Sequence, residues 1–206
     1  MITVVDYGVN NLRSVRRAFE VAGYSAVLTA DPDEVRGAER VVVPGVGHFG
    51  QAARTLHLTG LGPAIRDVAR AGRPVMGICL GLQLFFESSE EAPEAPGLGL
   101  LPGRIQRFAT SMPVPHVGWA RVEPTEPGRR HPVAGPLFAE GPQFYYHVHS
   151  YHPTAVPDYA VLATGSYGEV FPTLVGWQNL FGAQFHPEKS QRAGIELLGA
   201  FGRWRP

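Results

Sequence analysis

Apolar positions in the first hundred residues alternate between two spacings. "ITVVDYG" is a β-branched run closed by glycine, and "NLRSVRRAFEVAG" then places Leu12, Val15, Phe19 and Ala22 at helical spacing before Gly23 as a stop. "SAVLTA" predicts a second strand. "DPDEVRGA" opens as a helix, with Asp31 as N-cap and Pro32 at the first helical position. "RVVVPG" is apolar throughout, as a sheet centre covered on both faces should be. "GLGPAIRDVARAG" then predicts a helix, "RPVMGIC" a strand and "LGLQLFFESS" a helix. This βαβα order predicts an α/β fold, an open and mostly parallel sheet flanked by helices on both faces.

Beyond about residue 100 the spacing changes. "GRIQRF", "GWARVEP", "FYYHVHSYH", "YAVLATG", "TLVGWQN" and "FGAQF" read as strands separated by turn residues, with no long helix between them, so we expect a β-rich antiparallel extension. "SQRAGIELLGAFGRW" returns to helical spacing through Ile195, Leu198 and Phe201.

The 206 residues suit a single domain, 1–206, with a core that needs no staples. Formal net charge is zero and the basic residues are scattered, which argues against a nucleic-acid partner. The start "MITVVDYG" is no secretory leader and no apolar run approaches a membrane span, so we expect no membrane partner. With one cysteine there is neither an internal disulfide nor a multi-cysteine zinc site, and the expected location is cytoplasmic.

That cysteine, Cys79, lies where an apolar strand turns directly into a helix. Gly77 and Gly81 flank it with G-x-C-x-G spacing, the cysteine counterpart of the nucleophile elbow. The helix N-terminus there favours thiolate over thiol, and the N–H of Leu80 is placed to bind an oxyanion. The plain alternative is a small core residue at a strand end. "GAQFHPEKS" offers a base: His186 and Glu188 lie two apart after a strand, so in extended geometry both leave the same face. A carboxylate beside an imidazole fixes its tautomer, although His-Pro-Glu is also ordinary turn chemistry. The H-x-E spacing of zinc deaminases needs a P-C-x-x-C partner that is absent. "VVVPGVGHFG" puts Gly45, Gly47 and Gly50 in a loop after the third strand, where backbone N–H groups can approach a substrate. "YYHVHSYHP" holds His147, His149 and His152, which read as a polar surface or ligand wall before they read as metal ligands. No metal or cofactor is expected.

With G-I-C-L-G-L-Q, P-G-V-G and F-H-P-E-K-S together, the chain resembles the class I, triad-type glutamine amidotransferases. "DYGVNNLRSV", "PHVGWARV" and "YYHVHSYHP" narrow the resemblance to the glutaminase subunits of imidazole glycerol phosphate synthase. The resemblance implies a flavodoxin-like sheet and the hydrolysis of glutamine to glutamate and ammonia. Cys79 would be nucleophile, His186 base and acid, and Glu188 its orienting partner. Leu80 with Val46 and Gly47 would hold the oxyanion after rearrangement of the loop. Gly47, Gln83, Glu91, His149, Ser150 and Tyr151 would contact substrate. A (β/α)8-barrel cyclase subunit in a 1:1 heterodimer would take the ammonia, producing imidazole glycerol phosphate and aminoimidazole carboxamide ribotide in histidine biosynthesis. Trp119, Tyr146 and Lys189 would line the interface at the ammonia exit. The family's usual G-M-G-N is Gly8-Val9-Asn10-Asn11 here, with Asn10 able to take a left-handed turn, and Ala120 stands in place of an asparagine. Competing readings are a class I glutaminase serving a pyridoxal phosphate, aminodeoxychorismate or anthranilate synthase, a partnerless Cys-His hydrolase, and a non-catalytic binding module.

Overall fold

Three neighbouring strands carry the parts of the site, because each ends at the same edge of one sheet. The computed structural model describes residues 1–206. Along the chain run β1 (Ile2–Val5), α1 (Leu12–Val21), β2 (Ala26–Thr29), α2 (Pro32–Gly37), β3 (Val41–Val43), α3 (Phe49–Leu58), α4 (Leu61–Arg70), β4 (Val75–Ile78) and α5 (Leu80–Gln83). Then follow β5 (Ser88–Ser89), β6 (Arg104–Arg107), β7 (His116–Pro124), α6 (Glu126–Arg130), β8 (Gln143–His149) and β9 (Tyr151–Thr154). The last elements are β10 (Val161–Ser166), β11 (Val170–Trp177), β12 (Leu180–Ala183) and α7 (Gln191–Arg203).

Nine strands form one sheet in the order β2-β1-β3-β4-β12-β11-β10-β7-β8. The members from β2 to β12 are mutually parallel, and from β12 outward the pairing is antiparallel. The apolar strands are explained by two-sided burial. Ile2, Val4, Val42, Met76 and Ile78 join Phe19, Leu197 and Phe201 of α1 and α7 on one face. Val5, Val41, Val43 and Val75 join Val35, Leu56 and Ile65 of α2, α3 and α4 on the other. Asp31 caps α2 as expected, its side chain accepting from Asp33 N–H at 2.8 Å.

Five expectations are corrected. Gly50 lies in α3, an unforeseen helix whose Phe49, Ala52, Ala53 and Leu56 bury one face at helical spacing. "LGLQLFFESS" makes only the short helix α5, because Leu98 N–H takes the carbonyl of Leu84 at 2.7 Å and Leu100 N–H that of Phe85 at 2.8 Å, ending the helical ladder. "FYYHVHSYH" is two strands. β8 pairs with β7 in the large sheet, and after Ser150 the chain crosses to a small sheet ordered β5-β6-β9. β12 is antiparallel to β11 yet parallel to β4, so the extension is continuous with the parallel half. The left-handed residue of the first turn is Asn11, at φ 79°, rather than Asn10; it is the N-cap of α1.

Candidate active site

β3, β4 and β12 are adjacent, with Val43 opposite Gly77 and Ile78 opposite Ala183. Their carboxyl ends deliver the loop from Pro44 to His48, the turn at Cys79, and the segment Gln184–Phe185–His186 to one place. Cys79 joins β4 to α5 with no intervening loop and takes φ 52° and ψ −108°, a conformation costly for a residue with a side chain. Its N–H donates to Ala183 O at 2.7 Å. A methyl at Gly77 would sit 2.6 Å from Leu82 N, and one at Gly81 would overlap the Val43 carbonyl, so both flanking positions require glycine.

His186 is buried, and its Nδ1–H donates to Glu188 Oε1 at 2.6 Å. The contact was expected from extended geometry. Glu188 instead lies in a 3-10 turn, Pro187–Lys189, which Pro187 starts, and this curls the carboxylate back under the ring. Nε2 of His186 is in range of Cys79 without a well-aligned hydrogen bond. Burial acts to lower the His186 pKa, but the neighbouring Cys79 and Glu188 outweigh it and raise it to about 10. The arrangement favours the protonated imidazole beside the sulfur.

A cavity of about 360 Å³ is lined by Val46, Gly47, Cys79, Leu80, Gln83, Glu91, His149, Ser150, Tyr151 and Lys189, together with Pro115 and Val148. Gln83 donates to Tyr151 O at 3.0 Å and Gln184 Oε1 at 3.2 Å, which fixes its amide at the cavity wall. Glu91 is held by Phe49 N–H at 2.6 Å, at the start of α3. Trp119 and Tyr146 do not line the cavity. They face each other across β7 and β8 with rings 6.3 Å apart, and Lys189 Nζ lies 5.9 Å from the Tyr146 ring, so the three form one contiguous surface.

The Leu80 N–H is occupied: it donates to Gly45 O at 3.3 Å. The loop thus presents a carbonyl where an oxyanion would need a donor.

Sequence reading missed two polar contacts at this site. Gln184 is fully buried and donates to Cys79 Sγ at 3.8 Å; the signal was a glutamine in the apolar run "FGAQF". Asn11 donates to Glu188 Oε1 at 2.5 Å across 177 residues, and no local pattern announces it.

Of the two expectations for the histidine-rich strand, the polar surface is not what forms, while His149 lines the cavity wall. His147 and His149 point inward with His116, all buried, and His152 packs beside Phe108. His149 Nδ1–H faces Tyr151 O at 2.9 Å, so its Nε2 accepts from His147 Nδ1–H at 3.0 Å. His116, His147 and His149 offer ligand atoms within 4.8 Å of one another. However, the His116 and His147 rings stack at 5.0 Å and 15°, and in-plane lone pairs of stacked rings do not converge on one ion. Burial lowers the pKa of all four histidines, that of His149 to about 3, which favours their neutral forms.

Residues 3–201 match the family described as glutamine amidotransferase class-I. The imidazole glycerol phosphate synthase subunit HisH of Symbiobacterium thermophilum is 46% identical over 98% of this chain and 93% of its own. Those of Salinibacter ruber and Moorella thermoacetica are each 45% identical over the same shares. A solved glutamine amidotransferase superposes with TM-score 0.75 at 19% identity, covering 98% of this chain and 100% of its own. The PurLQS structure from Thermotoga maritima superposes with TM-score 0.71 at 20% identity, covering 97% and 96%. At such identities these two speak for the fold.

Proposed function

The chain belongs to the class I glutamine amidotransferase family, and on that premise we propose that it is the glutaminase subunit of an imidazole glycerol phosphate synthase. The observation that carries the chemistry is the convergence of Cys79, Leu80, Gln83 and Glu91 on one cavity, with the His186–Glu188 pair behind the thiol. The assignment among glutaminases follows relatives 41–46% identical over nearly the whole chain, each an imidazole glycerol phosphate synthase subunit HisH.

Cys79 Sγ attacks the side-chain carbonyl carbon of glutamine and its proton passes to His186. His186 then protonates the departing nitrogen, releasing ammonia and leaving a glutamyl thioester. Water, deprotonated by the same imidazole, cleaves the thioester to glutamate and restores the thiol. Glu188 keeps Nδ1 protonated, so that Nε2 faces sulfur. The negative oxygen of each tetrahedral intermediate is held by Leu80 N–H and a second N–H from Val46 or Gly47. Leu80 N–H is freed for this only when the Gly45 carbonyl turns away. A loop that leaves the hole closed suits an enzyme whose ammonia is useful only when an acceptor is docked.

The acceptor is a cyclase subunit with a (β/α)8 barrel, in a 1:1 heterodimer. It docks over Trp119, Tyr146 and Lys189, beside the cavity mouth. Trp119 is 47% exposed, with Val117 and Phe144 as exposed neighbours. No helix is long and apolar enough to cross a membrane, and a cytoplasmic location completes the reading.

The test is glutamate release from glutamine by the chain alone, then with the cyclase subunit and its nucleotide ligand, with Cys79→Ala as control. Strong stimulation that the substitution abolishes supports the reading. Unstimulated turnover redirects it to another acceptor enzyme or to a partnerless hydrolase.

A further inference from the structure

Tyr7 stands two residues beyond β1, outside the cavity lining, and only 5% exposed. Its hydroxyl donates to Pro44 O at 2.6 Å. The next carbonyl along, Gly45 O, accepts from Leu80 N–H at 3.3 Å. Two successive carbonyls of the loop are therefore held inward by donors from separate elements, the end of β1 and the start of α5. The hydroxyl also lies against Gly45 itself, since a methyl at that position would collide with Tyr7 Oη. Burial, with the charge of Cys79, pushes the phenol far above its ordinary pKa, so it remains a donor at every working pH.

Resting on the glutaminase reading, the loop has to turn before Leu80 N–H can meet an oxyanion. Turning the Gly45–Val46 peptide exchanges the blocking carbonyl for an N–H. That movement starts at the residue against which Tyr7 is wedged. We propose that Tyr7 is a positioning residue that latches the loop from Pro44 to Gly47 in its resting arrangement, keeping glutamine turnover low until a docked partner shifts the balance. Of the two anchors, the Tyr7 bond is the shorter, and without it the buried Pro44 carbonyl is unpartnered in the resting state. The resting state then loses its advantage over the turned one.

The test is Tyr7→Phe in the full chain, which removes the donor and keeps the ring. Basal kcat should rise on the order of tenfold, the shift expected from one lost buried hydrogen bond. KM for glutamine and the partner-stimulated rate should stay within about twofold, so the stimulation ratio shrinks. The Leu80 amide should exchange faster with solvent, while the alkylation rate of Cys79 by iodoacetamide is unchanged. A basal rate at or below that of the unsubstituted chain overturns the latch; a merely structural role would lower basal and stimulated rates together. Should Tyr7→Phe not fold, Tyr7→Met also lacks the donor and is read in the same way. The two readings fail differently: an unsubstituted chain that no partner stimulates removes the glutaminase assignment, whereas a stimulated chain with an unraised variant removes only the latch.

Discussion

The two glycines that flank Cys79 are walled by backbone, whereas the loop from Pro44 to Gly47 opposite them ends in open space. A methyl at Gly81 would overlap the Val43 carbonyl, while one at Gly47 would meet nothing within 4 Å. Cys79 is strained at φ 52° and held there by the hydrogen bond to Ala183 and by the packing of α5. The loop is held by Tyr7 and Leu80, and its Gly47 is exposed. Strain persists only where the surroundings over-determine it, and movement is available only where they do not. On the proposed glutaminase reading, the turn of the nucleophile is therefore built in advance and the oxyanion hole is not.

The largest effect expected is at the prebuilt side. Cys79→Ala should reduce partner-stimulated glutamate release at least ~1000-fold, because the covalent route is lost. The near-ultraviolet circular dichroism should be retained. A residual rate within tenfold of the unsubstituted chain would mean that the strained turn serves something other than nucleophilic attack.

Next in size is a paired substitution that measures the contrast itself. Gly81→Ala drives a methyl into backbone that cannot retreat, and should cost more than ~3 kcal/mol in urea unfolding or prevent folding outright. Gly47→Ala meets no atom and suffers only from its φ of +114°, which should cost about 1–2 kcal/mol. Equal losses at the two positions would break the comparison between a rigid turn and a free loop.

How far the sequence revealed this site depends on how local each cause is. The turn at Cys79 was readable because its glycines, strand and helix are contiguous. The Cys-His-Glu set was readable because motif spacing and family resemblance both mark it. The helix α3 was present in the pattern Phe49, Ala52, Ala53 and Leu56 but was hidden behind a glycine-rich start that read as loop. The end of α5 was not readable, since the amides that stop it come from Leu98 and Leu100, more than a dozen residues on. The contact of Asn11 with Glu188 joins opposite ends of the chain, and no periodicity encodes such a pair. The inward turn of His147 depends on Phe171 and Phe185 packing against its ring, which the alternation of one strand cannot report.

A pH series separates the two kinds of histidine around the cavity. His116, His147, His149 and His152 have lowered pKa values, first through burial, so the unfolded chain binds protons that the folded chain refuses. Stability should therefore fall as pH drops below the unfolded value of about 6.5. For His149, lowered to about 3, the loss is about 1.4 kcal/mol at one unit below that value. His186 has the opposite sign. Burial acts to lower its pKa, but Cys79 and then Glu188 raise it to about 10, and its contribution is whole below the unfolded value and lost as pH climbs through the folded one. Thermal unfolding from pH 5 to 10 should show a dome, and Cys79→Ala should flatten its alkaline side alone. An unchanged alkaline side would remove the coupling of His186 to Cys79 from the prebuilt half.

The smallest effect expected lies where the two halves meet. Tyr7 and Asn11 sit on one short segment between β1 and α1; the first reaches the loop from Pro44 to Gly47 and the second reaches the acid of the His186–Glu188 pair. Glu188 Oε1 accepts from both Asn11 and His186, while Oε2 is buried with no partner. Asn11→Ala leaves the carboxylate with the imidazole as its only donor. Because a buried carboxylate short of donors is less well fixed, the ring it orients is less well fixed too. Partner-stimulated kcat should fall about tenfold with KM for glutamine little changed, the size of one lost hydrogen bond. Asn11→Asp should do worse than Asn11→Ala, since a second carboxylate would face the first and drive a proton onto the pair. If Asn11→Ala instead raised basal turnover as Tyr7→Phe is expected to, the segment would govern the loop through both residues, and the division between a fixed half and a mobile half would have to be redrawn through α1.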